Sequence, residues 1–181
     1  TIYLGARTVP TSGALAEGAI AIGTDVTSSG ASSVAMGTQS RATSTGAIAM
    51  GLQSVASGDS STAIGREAGA TGSSSTALGG RSLATGVSST ALGSSAAATA
   101  HFTTALGRLA SAEAQSATAI GDSAVASAQY AVAIGLNAQA TGPGGAVAMG
   151  AGAVSSNIKS TALGVNAQAT GAGDSALGTA S

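Results

Sequence analysis

The sequence contains no cysteine and no tryptophan, and has only two prolines, two tyrosines and one phenylalanine in 181 residues. Without cysteine there are no disulfides and no thiolate metal sites. Charged residues make up 7% and the formal net charge is -1, so binding to nucleic acid through a basic surface is excluded as a default. No apolar run approaches the 18 residues that a membrane-spanning helix requires. Glycine does not recur at every third position, and with two prolines a collagen helix is excluded. Large apolar residues are too sparse to fill an ordinary core. Yet mean hydropathy is positive, the reverse of the signature of disorder. What is present instead is 44 Ala, 28 Gly, 28 Ser and 21 Thr, 121 of the 181 residues.

These small residues are ordered by a repeat. A unit of one small or β-branched residue, Ala, one of Ile, Leu or Met, and Gly recurs along the chain. Its glycines are Gly23, Gly37, Gly51, Gly65, Gly79, Gly93, Gly107, Gly121, Gly135, Gly150, Gly164 and Gly178. Ten of the eleven spacings are 14 residues and one is 15. Three and five residues after these glycines lie small residues, nearly always Ala or Ser, as in Ser40 and Ala42, Ala68 and Ala70, or Ala124 and Ala126, around a freely varying residue. Each period therefore holds two short alternating segments separated by small-residue turns. Alternation indicates strands and glycine indicates tight turns. The expected fold is all-β: a parallel β-roll solenoid of 14-residue, two-strand coils, about twelve of them, over the single repetitive domain 1–181.

The alternation assigns faces. The alanines of the main strand and the Ala/Ser pairs of the second are expected inside, so that two sheets lined by small residues approach more closely than the usual ~10 Å. Ile22, Met36, Met50, Ile64, Leu78, Leu92, Leu106, Ile120, Ile134, Met149, Leu163 and Leu177 then point outward in one stripe, with Ile20, Val34, Ile48, Val132 and Val147 beside it. At about 4.7–4.9 Å per coil such a stripe runs for roughly 55 Å. A soluble monomer avoids a patch of this kind. Covering it, at about 1.5–3 kcal/mol per side chain, points to an obligate oligomer with the stripe at its axis. The opposite arrangement, with the large residues inside, leaves the second strand nothing large to pack against them. The other long surface is the outward row of the second strand, where Arg41, Val55, Leu83, Val125 and Gln139 alternate with Thr43, Thr71, Thr85, Thr99 and Thr141. It is the candidate ligand surface. A threonine ladder also suits ice binding, but Arg41, Leu83 and Gln139 break the regularity that ice requires.

Irregularities fall at the prolines. Pro143 lies in Gly142-Pro143-Gly144-Gly145, at the one 15-residue spacing, and Pro10 lies in a first segment, 1–18, where Ile2-Tyr3-Leu4-Gly5 resembles the repeat 18 residues before Gly23. Both are expected to be turn or loop insertions. The chain stops in mid-repeat, so a piece of a longer protein is expected. No catalytic, cofactor or metal site is expected. His101 is the single histidine and reads as a turn residue, since a 14-residue period is incompatible with the hexapeptide-repeat acyltransferases that use one His. Asp59, Asp122 and Asp174 sit at different offsets and suit turn chemistry. No G-x-S-x-G elbow occurs. Glu67 and Arg81 share an offset in successive coils, which predicts a surface ion pair.

The motifs Ser33-Val34-Ala35-Met36-Gly37, Ala133-Ile134-Gly135 and Ala68-Gly69-Ala70-Thr71-Gly72 resemble the head repeats of trimeric autotransporter adhesins (Yersinia-adhesin-like head repeats), over residues 12–181. The resemblance implies a left-handed roll, a side-by-side homotrimer whose apolar strand residues face the axis, and a place at the tip of a fibre on the Gram-negative cell surface. It also implies an outer-membrane anchor in a C-terminal region outside this sequence. Its implied partners are host matrix proteins such as collagen, fibronectin or laminin, or cell-surface molecules. A collagen-associated motif of the family has the form Asn-Ser-Val-Ala-Ile-Gly-x-x-Ser. The nearest stretch here is Ser32 to Ser40, with Ser32 in place of the Asn. The implied function is a non-enzymatic adhesin head. The alternative is a passive spacer that projects another domain.

Overall fold

The computed structural model describes residues 1–5 and 12–179. Pro10 lies outside the described residues. The chain divides into two compact units, Thr1–Ser89 and Thr90–Ser181, each a parallel β-solenoid in which every coil contributes one three-residue and one two-residue strand.

In the first unit the long strands Ile2–Leu4, Ile20–Ile22, Val34–Met36, Ile48–Met50, Thr62–Ile64 and Thr76–Leu78 form one sheet, and Gly13–Ala14, Thr27–Ser28, Arg41–Ala42, Val55–Ala56, Gly69–Ala70 and Leu83–Ala84 form the other. Like pairs with like in register: Ala35 lies beside Ala49 and Ala49 beside Ala63. The early motif Ile2–Leu4 joins the same sheet, Tyr3 beside Ala21. In the second unit the long strands run from Thr90–Leu92 to Ser175–Leu177, and the short strands from Ala97–Ala98 to Gln168–Ala169, again in parallel register. The additional residue at Pro143 falls in the turn between Ala140 and Val147, and Val132 still pairs with Val147.

The interior is as thin as the composition implies. Ala21, Ala35, Ala49, Ala63 and Ala77 of the first unit are fully buried, as are Ala105, Ala119 and Ala133 of the second. The Ala/Ser pairs facing them are buried as well, and among the described residues no fully buried side chain exceeds Val26 or Thr103 in size. The arrangement with Ile, Leu and Met inside is thereby excluded. A further inward row, absent from the sequence reading, precedes each long strand by one residue: Ser33, Ala47, Ser61 and Ser75, then Thr103, Ala117, Ala131 and Ala146. At Ser33 and Ser75 the hydroxyl closes the preceding turn, Ser33 Oγ donating to the Gly30 carbonyl at 2.7 Å and Ser75 Oγ to that of Gly72 at 2.6 Å.

Both turns of a coil use the left-handed backbone region. Every seventh residue from Ser32 to Ser88, and again from Ser95 to Asn137, has φ between 53° and 64°. In this conformation the N–H points along the stack and donates to a carbonyl of the preceding coil: Glu67 to Leu52 at 2.8 Å, Arg81 to Arg66 at 2.8 Å and Tyr130 to Gln115 at 3.1 Å. The main-motif glycines meet a stricter demand. At Gly65 φ is 133°, and a Cβ there would land on the carbonyl of Gly79 in the next coil, a position that only glycine fills.

Candidate functional site

Each coil offers four outward surfaces: one face per sheet and the two turn edges. On the long-strand sheet the burial pattern is half-exposed, buried, half-exposed, as in Ile48–Met50 and Val132–Ile134. The large side chains therefore stand on the outer face, in line. In the first unit Ile22, Met36, Met50, Ile64 and Leu78 follow one another through successive pairings. In the second unit Leu92, Leu106, Ile120, Ile134, Met149, Leu163 and Leu177 do the same. Leu78 is 41% exposed, Met149 41% and Leu177 66% in the isolated chain. Ile20, Val34 and Ile48 add a second apolar row in the first unit, Val132 and Val147 in the second, and between them that row is threonine, as at Thr62, Thr76, Thr90, Thr104 and Thr118. All seventeen of these apolar residues thus lie on the outer face of the long-strand sheets.

The short-strand faces carry the candidate ligand residues. In the first unit Arg41 lies beside Val55, Val55 beside Gly69 and Gly69 beside Leu83, with Thr43, Thr71 and Thr85 directly after the ends of their short strands. In the second unit Val125 lies beside Gln139, with Thr99 and Thr141 in the parallel outward row. Arg41, Leu83 and Gln139 are exposed, while Val55, Val125, Thr43 and Thr85 are half-buried. Small residues interrupt both rows. Gly69, Ala97 and Ser111 occupy outward positions. Ser111, Val154 and Gln168 belong to the same face and were not singled out from sequence.

Among the described residues most charged side chains lie at the edges, Arg41 on the short-strand face being an exception. Arg81 Nε donates to Glu67 Oε2 at 2.8 Å, the pairing that the shared offset predicts, and the Arg66 guanidinium lies 3.6 Å from the other oxygen of Glu67. One rung earlier on this edge, Gln53 donates to Gln39 at 3.0 Å. The hydrogen bond from Arg81 holds the Glu67 carboxyl below its ordinary pKa. A second pair, missed in the sequence, joins Arg108 to Asp122 at 2.8 Å. Asp122 is therefore more than turn chemistry, although the hydroxyl of Ser123 is the first cause that lowers its pKa, with Arg108 adding to it. The signal was available, because Arg108 and Asp122 each directly follow a repeat glycine. Asp174 does serve a turn, accepting from the Gly171 N–H at 2.6 Å. His101 is exposed at a turn, its ring 6.4 Å from that of Phe102. Among the described residues no three His, Cys, Asp or Glu side chains come together as a metal site.

The sequence matches the family model described as YadA head domain repeat, which holds two copies of the repeat, over residues 28–54, 56–82, 84–110, 112–138, 126–153, 140–164 and 155–181. No curated protein matches the chain.

Proposed function

We propose a function from one premise: this chain belongs to the YadA head domain repeat family, the heads of the trimeric autotransporter adhesins. It is an adhesin-type head domain, and both the family and the β-solenoid fold are structural rather than enzymatic. In our reading it assembles as a side-by-side homotrimer at the surface of a Gram-negative bacterium. An outer-membrane anchor outside this sequence holds it there, and it binds host matrix or cell-surface molecules. The observation that carries the trimer is the in-register Ile/Leu/Met row on the outer face of the long-strand sheet in each unit. Burying that row between chains supplies the thick apolar core that an Ala/Ser interior lacks. The short-strand face, with Arg41, Thr43, Val55, Thr71, Leu83, Thr85, Thr99, Val125, Gln139 and Thr141, is then left for ligands. Weak contacts repeated over coils and over three chains would add up by avidity.

A second reading, a passive spacer, is favoured by the plainness of that face, where Gly69, Ala97 and Ser111 replace larger side chains. Solid-phase binding of the full chain to collagen, fibronectin and laminin separates the two. Saturable binding to one of them, reduced when Arg41 and Gln139 are both replaced by Ala, supports the adhesin. Failure on the whole panel supports the spacer.

A further inference from the structure

One turn edge of the second unit carries a feature that neither the fold nor the proposed matrix-binding face accounts for. The left-handed position before the inward row is Ser32, Gly46, Ser60, Ser74 and Ser88 in the first unit. In the second unit it holds Phe102, at φ 59°, and Tyr130, also at φ 59°, with Ser116 between them. The stack needs the conformation, not the ring: Ser116 donates its N–H to the His101 carbonyl as Tyr130 does to Gln115. A bulky side chain at positive φ is disfavoured, and these rings gain no burial in return, since Phe102 is 58% and Tyr130 57% exposed. Two of the three aromatic residues of the chain are thus displayed on one edge, two strand spacings or about 9.5 Å apart. Beside them Gln129 Nε2 donates to Gln115 Oε1 at 3.3 Å, which aligns two amides along the same edge. None of Phe102, Gln115, Ser116, Gln129 and Tyr130 is charged, and the same left-handed row continues to Lys159, two coils beyond Tyr130.

We propose that this edge is a glycan-binding site for a neutral β-1,4-linked oligosaccharide. A pyranose has a C–H face that stacks on an aromatic ring and equatorial hydroxyls that pair with an amide, which offers both donors and an acceptor. In a β-1,4-linked chain the same ring face recurs at every second sugar, a spacing close to two strand spacings. Phe102 and Tyr130 would therefore take sugars n and n+2, with Gln115 and Gln129 on the hydroxyls between them. The two rings and two amides that would meet the sugar carry no charge, as suits an uncharged polymer, and two isolated rings offer too little apolar area for a protein partner.

The test is titration of cellotetraose, a neutral β-1,4-linked tetramer, into the full chain, read by saturation-transfer NMR and calorimetry. Phe102→Ser and Tyr130→Ser install the residue that this row uses elsewhere, so the fold is retained. Each is expected to weaken binding about tenfold, and the pair to abolish it. Leu109→Ser, the same conformation on the opposite edge (φ 58°, 46% exposed), leaves binding unchanged. Absence of binding by the unsubstituted chain, or binding that survives the double substitution, overturns the site. Equal binding of the α-1,4-linked maltotetraose overturns the β-1,4 assignment, and ring-dependent capture of a collagen peptide without any sugar binding places a protein there instead.

Discussion

Two kinds of glycine perform different tasks at the scale of single residues. At Gly121 φ is 130° and a Cβ would strike the carbonyl of Gly135. Gly121→Ala therefore combines backbone strain with a clash that no side chain can relieve, and a loss of at least about 3 kcal/mol is expected. At Gly46 φ is 64° and the nearest atom to an added Cβ is 3.6 Å away. Its neighbours in the row, Ser32 and Ser60, already adopt that conformation, so Gly46→Ser should stay within about 1 kcal/mol. Thermal denaturation of the two variants distinguishes these cases, and equal melting temperatures would contradict the stacked-glycine account. The inward serines divide in the same way. Ser75 closes a turn through its hydroxyl, whereas Ser61 Oγ is buried without a partner. Replacing Ser75 by Ala should cost about 1 kcal/mol, and replacing Ser61 by Ala should be neutral or stabilising.

At the scale of the coil, the edges are tied by side-chain ladders that run from one turn to the next. The Glu67 carboxyl has its pKa lowered, by the hydrogen bond from Arg81 before all else. A carboxylate depressed on folding contributes stability at neutral pH and down to its unfolded value near 4.3. That contribution is lost as pH falls through the lower, folded value. Glu67→Gln should therefore lower the melting temperature at pH 7, and the gap from the unsubstituted chain should close below about pH 4. A gap independent of pH would mean that charge plays no part in the ladder. Exchanging Glu67 and Arg81 should be nearly silent, whereas reversing one of them should not. Much of this was legible in the sequence, because residues at one offset in successive coils become neighbours. The coil length, the inward alanines and the Glu67–Arg81 pair all follow from that rule. The left-handed positions were not legible. Gln39, Glu67, Arg81, Leu109 and Tyr130 share them, and nothing in their chemistry marks φ > 0. Hydrogen bonds to the coil before impose it. The inward row of Ser33, Ala47 and Ser61 escaped notice for a related reason: it adjoins the turn and mixes Ser with Ala, so it read as turn composition.

At the scale of the molecule, an interior that any small residue can fill lies beneath an outer apolar row that the proposed trimer would cover. Ile64→Glu or Leu106→Glu changes nothing inside the chain, since both side chains point outward. Each is expected to dissociate the proposed trimer, where a single carboxylate per chain would place three like charges at one level of the axis. Light scattering would show the fall in mass, and a trimer that survives both substitutions would remove the long-strand face from the interface. The thin interior has one further consequence. A core of large side chains fits together in one way only, so elements cannot be added to it or taken away without repacking. Alanine stacked on alanine in equal register has no such memory of its neighbours. Any coil can follow any other, and a gain or loss of one 14-residue coil alters the reach of the head while leaving each remaining contact chemically as it was. Length is thus a trait that recombination between repeats can tune freely, in steps of one strand spacing, without the fold having to be solved again.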